Sequence, residues 1–251
     1  MKRSFFIALG LLTRIPIPRE KIPPTPREMG ASVPLYPLVG LLLGGILGSF
    51  SSLWPGSMAD TGAFLVLLFW VLLTGGLHLD GLADTADAWV GGMGSREKTL
   101  AIMTDPRSGP VAVVAVALVL LGKFAAIRSL ILTGAPGLAI GVALLLARLN
   151  LLLLMLTLPY VRPGGMAAQA TAALPKRSGW FMAVVTLLAV ISLKNSSGFL
   201  ALTAGVGLFL VLGWRFRQRL GGVTGDTLGA ACEITELGTL LTWAIAAVPP
   251  G

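Results

Sequence analysis

Charge is what this chain has least of. Only 12% of its 251 residues are charged, about half the share of an ordinary soluble domain. A single cysteine, Cys232, excludes an intrachain disulfide and a cysteine-based zinc site. A single histidine, His78, excludes metal motifs built on paired histidines. Nothing matches G-x-x-x-x-G-K-[ST], because Gly122-Lys123 lacks the upstream glycine, so the P-loop route to nucleotide chemistry is absent. No internal repeat or low-complexity tract is present.

Apolar residues make up 55% of the chain, before 32 glycines are counted, and mean hydropathy is +0.86. A soluble globule of this size needs a polar exterior that such a composition cannot supply. The expectation is an all-α, polytopic integral membrane protein forming one domain over residues 1–251. Its apolar runs are continuous rather than alternating, which disfavours a strand barrel.

A crossing helix needs about 20 residues. Apolar stretches suggest seven spans, at 35–54, 61–77, 109–132, 136–158, 179–193, 198–214 and 228–248. Residues 1–34 read as an interfacial or re-entrant segment, with Phe5, Phe6, Leu9 and Leu12 giving it an apolar side. The prolines between Pro16 and Pro37 argue against a continuous helix there. Residues 35–250 would form the bundle.

Seven spans with the N-terminus inside sort the basic residues. The inner segments carry Lys2, Arg3, Arg14, Arg19, Lys21 and Arg27, then Arg96, Lys98 and Arg107. They also carry Arg162, Lys176 and Arg177, and finally Arg215, Arg217 and Arg219. The outer loops hold Lys194 alone, while Lys123, Arg128 and Arg148 fall inside spans. This asymmetry predicts a cytoplasmic N-terminus and an inner-membrane protein. It also explains the net charge of +8 without nucleic acid.

The few acids are placed informatively. Asp80, Asp84 and Asp87 follow the second span. At about 100° per residue, Asp84 lies about 40° and Asp87 about 20° from Asp80, so all three share one helical face. Carboxylates that close raise one another's pKa unless a cation intervenes, and all-oxygen donors select Mg²⁺ or Mn²⁺. Asp226 follows Gly221, Gly222, Thr224 and Gly225, where it reads as a helix N-cap. The glycines there let backbone amides approach a ligand. Glu233 returns to the Asp226 face, and Glu233 and Glu236 enter an apolar span, where carboxylates are costly and usually functional. Cys232, among small residues, reads as packing. Arg107, in Asp105-Pro106-Arg107-Ser108-Gly109-Pro110, is either a membrane anchor or a diphosphate clamp. Lys123 and Arg148 lie near mid-membrane. They either line a polar cavity or bond backbone carbonyls, and Glu233 and Glu236 or an anionic substrate would supply the counter-charge.

Three segments carry a family resemblance. They are Leu77-His78-Leu79-Asp80-Gly81-Leu82-Ala83-Asp84-Thr85-Ala86-Asp87, Asp105-Pro106-Arg107-Ser108-Gly109, and Gly221-Gly222-Val223-Thr224-Gly225-Asp226-Thr227-Leu228-Gly229-Ala230. Together with Thr13-Arg14-Ile15-Pro16-Ile17-Pro18 and Tyr36-Pro37-Leu38-Val39-Gly40, they resemble the cobalamin synthase family of adenosylcobinamide-GDP ribazoletransferases, from about residue 5 to 245. The resemblance implies that the 3′-hydroxyl of α-ribazole, or of its 5′-phosphate, attacks the diphosphate of adenosylcobinamide-GDP. The phosphorus on the cobinamide side is transferred, GMP leaves, and Mg²⁺ is the expected cofactor.

Such a reaction needs charge neutralisation and in-line positioning. Asp80, Asp84, Asp87, Asp226 and Glu233 are the candidate metal ligands. Arg107, Lys123 and Arg148 are candidates for holding phosphate, with Gly221, Gly222, Thr224, Gly225 and Thr227 along the substrate. His78 or a carboxylate is the candidate base, and His78 reads equally as an orienting group. The active face would be cytoplasmic, the partners the two substrates and the lipid bilayer, with a homo-oligomer left open. Two alternatives come from other classes. A CDP-alcohol-type phosphatidyltransferase usually carries D-G-x-x-A-R, where Asp84 and Thr85 stand here. A cation-coupled transporter would cluster its carboxylates at the midplane.

Overall fold

The structure is a computed structural model that describes residues 2–17, 22–134 and 136–247. Pro18, Arg19 and Lys21, which entered the motif and charge arguments, lie outside the described residues, as does residue 248 at the close of the seventh expected span. The helices are α1 (Lys2–Leu12), α2 (Pro26–Ser32), α3 (Tyr36–Ser51), α4 (Ala59–Thr74), α5 (Leu77–Gly91) and α6 (Arg96–Ile102). They continue with α7 (Pro110–Leu132), α8 (Pro136–Thr157), α9 (Gly165–Ala172), α10 (Lys176–Ser192), α11 (Ser196–Leu220) and α12 (Gly225–Ala246). Extended pairing among the described residues is confined to one parallel bridge, Tyr160 to Val223. The chain is an all-α, multi-pass membrane bundle.

Among the described residues, five helical stretches are long and apolar enough to cross a bilayer: Pro26–Ser51, Gly56–Thr74, Pro110–Leu132, Pro136–Thr157 and Ser196–Leu220. A sixth arises if α9 and α10, bent by 96° to each other, count as one. α12 has the length, at 22 residues, but carries Asp226, Glu233 and Glu236. Seven is reached only by counting both. The fifth expected span is α10, which with 17 residues is short for a full crossing. The preceding α9 had no counterpart in the sequence reading.

Proline shapes the entry to the first span differently from expectation. Pro26 occupies the first turn of α2, behind a capping box in which Thr25 and Glu28 bond each other's backbone. Pro34 is then absorbed by a 3₁₀ turn over Val33–Leu35, and Pro37 falls in the first turn of α3, where no helical N–H is lost. The helical run therefore begins well before residue 35.

α8 is the central post of the bundle, with 78% of its span buried. α3 lies directly along it. A Cβ at Gly44 would stand 2.7 Å from Gly141 Cα, and one at Gly48 would stand 2.8 Å from Gly137 O. Small residues four apart let membrane helices approach to backbone contact, where van der Waals packing replaces the missing hydrophobic drive.

α4 and α5 are separate helices, not the continuous one expected. Gly75 and Gly76 both adopt left-handed backbone, φ 66° and 70°, which ends α4 and redirects the chain. The turn frees the acidic helix from the axis of its span and lets α5 lie against α7 and α12.

Candidate active site

The site forms where α5 crosses α12. Gly81 and Gly229 make the crossing close. A Cβ at Gly81 would meet Asp226 O at 2.9 Å, and one at Gly229 would meet His78 O at 3.2 Å. Any side chain at these two positions would push the helices apart. Asp80 and Asp226, each adjacent to the crossing, thus face one cavity of about 290 Å³ between α1, α3, α5, α8, α9 and α12.

Asp226 is not the N-cap. Thr224 caps α12 instead, in a reciprocal pairing with Thr227, and Asp226 sits in the first turn. A carboxylate there still benefits from the helix N-terminus. The threonine hydroxyls are buried and committed to the cap. Gly221 closes α11 in left-handed conformation, φ 79°, donating its N–H to Arg217 O. Gly222 makes room for Pro159 O, which a Cβ would meet at 2.0 Å. Of the expected glycine-rich contacts, Gly225 is the one that lines the cavity.

Pro159 belongs to a strap between α8 and α9 that sequence reasoning missed. Val223 N–H donates to Pro159 O and Val161 N–H to Val223 O, each at 2.9 Å. The pairing delivers two side chains to the site. Tyr160 hydroxyl accepts from Gly225 N–H at 3.2 Å, and Arg162 Nη2 lies 2.6 Å from Asp226 Oδ2. The signal available was the polar run Tyr160-Val161-Arg162-Pro163-Gly164 interrupting an apolar region. Its partner lies some sixty residues on, and no periodicity encodes that pairing.

The three acids of α5 do different things. Asp80 lines the cavity. Asp84 is partly buried, and burial together with Asp80, Asp226 and Asp87 pushes its pKa up to about 6, against a smaller lowering by Arg162. Asp87 accepts backbone N–H groups from Gly109 and, at 2.9 Å, Ala112, so it caps α7. Arg107 is held by Asp105 through its side chain at 2.8 Å and its backbone N–H at 3.0 Å, and its side chain is 87% exposed. This pairing holds the Asp105 carboxyl down at about 2.

Lys123 and Arg148 do not line the cavity. They are sealed in an ion-pair cluster, 2% and 0% exposed, with their counter-charges supplied by α12. Lys123 Nζ pairs with Glu233 Oε2 at 2.7 Å and also with Glu236, whose other oxygen pairs with Arg148. Lys123 also lies over the Trp70 ring, 4.8 Å from its centroid. Asn150 donates to Thr235 and Gly205 O nearby. The expected polar cavity around these cations is thus a packed network, and Glu233 is committed to it. His78 is buried between this network and the cavity, its Nδ1 without a hydrogen-bond partner among the described residues. Cys232 is buried at the cluster, consistent with a packing role.

Asp80, Asp84 and Asp226 are hard oxygen donors, crowded enough to raise Asp84, and so chemically suited to a divalent cation. As they stand, no three His, Cys, Asp or Glu side chains among the described residues close on one point as a metal site does.

Fold and site together define a multi-pass membrane protein with an acidic, cavity-lined centre where two helices cross. Residues 4–244 match the family model described as cobalamin-5-phosphate synthase. The chain belongs to that family. Three relatives named adenosylcobinamide-GDP ribazoletransferase are similar over nearly their whole length. Those of Pseudomonas paraeruginosa and Pseudomonas aeruginosa are each 50% identical over 244 residues, covering 97% of this chain and 98% of the relative. That of Pseudomonas putida is 48% identical over 242 residues, covering 96% and 98%. No solved structure matches the chain. Family membership sets aside the phosphatidyltransferase and transporter alternatives.

Proposed function

We propose that the protein is a ribazoletransferase of cobalamin biosynthesis, joining adenosylcobinamide-GDP to α-ribazole or its 5′-phosphate. The near-complete match to relatives of that name supports the reading, and the paired Asp80 and Asp226 at the α5–α12 crossing supply a centre for it. The acceptor's 3′-hydroxyl oxygen forms a bond to the cobinamide-linked phosphorus, and the bond from that phosphorus to the bridging oxygen of GMP breaks. The hydroxyl proton passes to a nearby base, for which His78 and a carboxylate of the cluster are the candidates. Arg162 stands beside Asp226 and is placed to meet a phosphoryl oxygen.

Asp80, Asp84 and Asp226 are the residues that would hold Mg²⁺, which would neutralise the diphosphate. Asp87 and Glu233 are left out of this set because α7 and Lys123 already occupy their oxygens. The centre faces the cytoplasm of an inner membrane, a reading that rests on the basic residues clustered at the same end of the bundle. The test is direct. Purified protein given both substrates and Mg²⁺ should release GMP and a new corrinoid, and failure with both forms of the acceptor would refute the assignment.

A further inference from the structure

The cavity beside Asp80 and Asp226 divides its character by element. From α5 and α12 it receives the two carboxylates, His78 and the Gly225 backbone, together with Leu77 and Leu228, whereas the lining from α1, α8 and α9 is apolar throughout, Leu12, Leu151, Met155, Met166 and Ala170 among it. We propose that the apolar wall binds the ring system of the nucleoside acceptor's base, which directs the ribose hydroxyls onto the Asp80–Asp226 side. The proposal rests on the transfer reading above and assigns a place to one of its two substrates.

Size selects the acceptor. A space of about 290 Å³ suits a fused bicyclic ring with part of its sugar, and a corrin macrocycle is far too large. Polarity then selects among bases. Guanine, the other ring in the reaction, has a polar edge whose donors and acceptors would go unpaired against leucine, methionine and alanine. α-Ribazole carries an alkylated benzimidazole, whose ring buries with little such loss.

Met166 is the residue that tests this cleanly. It lines the cavity yet is 63% exposed, so a larger side chain can be accommodated there without rebuilding the core. Met166→Trp should raise the KM for α-ribazole about tenfold or more, while the KM for adenosylcobinamide-GDP stays near wild type. Met155→Ala, which enlarges the same wall, should shift preference toward acceptors with bulkier rings. Equal effects on both substrates, or an effect on the donor alone, would overturn the proposal. Equilibrium dialysis of α-ribazole against wild type and Met166→Trp separates this failure from that of the transfer reading. Weaker binding to the variant supports the cavity assignment even if no turnover is detected. Unchanged binding overturns it, as does loss of a co-purified phospholipid in its place. Wild-type turnover missing in every condition counts against the transfer reading alone.

Discussion

Arg162 Nη2 stands 2.6 Å from Asp226 Oδ2 and ties the strap after α8 to the first turn of α12. One carboxylate of the centre is thereby partly neutralised by a residue that is 27% exposed and free to be drawn to an incoming phosphate. Arg162→Met should lower kcat/KM for the diphosphate substrate by about 10²-fold, the scale of a lost charge-assisted contact that strengthens in the transition state. Arg107→Met should cost much less, since Arg107 is paired within its own loop. Steady-state kinetics of the two variants side by side checks this. Equal losses would reject the distinction.

Asp80→Asn and Asp226→Asn should each remove several kcal/mol of transition-state stabilisation, on the order of a 10³-fold loss of turnover. Expression in the membrane should persist, because neither side chain supports the bundle core. Near-normal turnover of either variant at limiting Mg²⁺ would show that the crossing is not the reactive centre.

Asp84 gives a pH dependence with a definite sign. Its pKa is raised from 3.8 to about 6, so the folded protein retains a proton that the unfolded chain has released. In the absence of divalent cations, this group's stabilising contribution is present at low pH and is lost as pH rises through that window. Thermal unfolding in chelator should therefore fall across it for the wild type, and the fall should flatten in Asp84→Asn. Mg²⁺ should stabilise increasingly as pH rises through about 6. A wild-type profile identical to that of the variant would contradict the crowding of these carboxylates.

Glu236 holds two cations at once, and its removal leaves Arg148 unpaired and Lys123 with Glu233 alone. Glu236→Ala should destabilise the bundle by about 3–5 kcal/mol, the scale for breaking a buried ion pair. Removing Lys123 and Glu233 together (Lys123→Met with Glu233→Gln) keeps the Arg148–Glu236 pair balanced and should be far milder. Unfolding temperatures in nanodiscs distinguish the two, and a double variant as damaged as Glu236→Ala would refute charge balance as the organising principle.

Topology is testable with one helpful feature of the sequence. Cys232 is the chain's only cysteine and is buried, so introduced thiols report without background. Ser57→Cys and Asn195→Cys should label from the outer face, and Ser95→Cys from the cytoplasmic face. Labelling of residues 57 and 95 from the same side would invalidate the proposed orientation.

Much of this was legible in the sequence, for reasons that also mark the limit. The long apolar runs became α3, α4, α7, α8 and α11, because membrane helices satisfy their own backbone and need no distant partner to be recognised. The shared face of Asp80, Asp84 and Asp87 followed from helical spacing, and the cost of isolated charge suggested Glu233 and Glu236 as counter-ions for Lys123 and Arg148. What escaped was non-local. Thr224 took the cap expected of Asp226 because its reciprocal bond with Thr227 starts the helix earlier. Asp87 was diverted to α7, and Tyr160 and Arg162 reached the centre through a backbone pairing with Val223.

The charge cluster also sets an order of assembly. Lys123 and Arg148 enter the membrane on α7 and α8, but the acids that neutralise them arrive on α12, after α9, α10 and α11 have been made. A nascent chain that has not reached α12 carries two uncompensated positive charges within its interior, with the aspartate of the crossing still missing. The same helix that completes the candidate site therefore also ends the protein's period of electrostatic incompleteness.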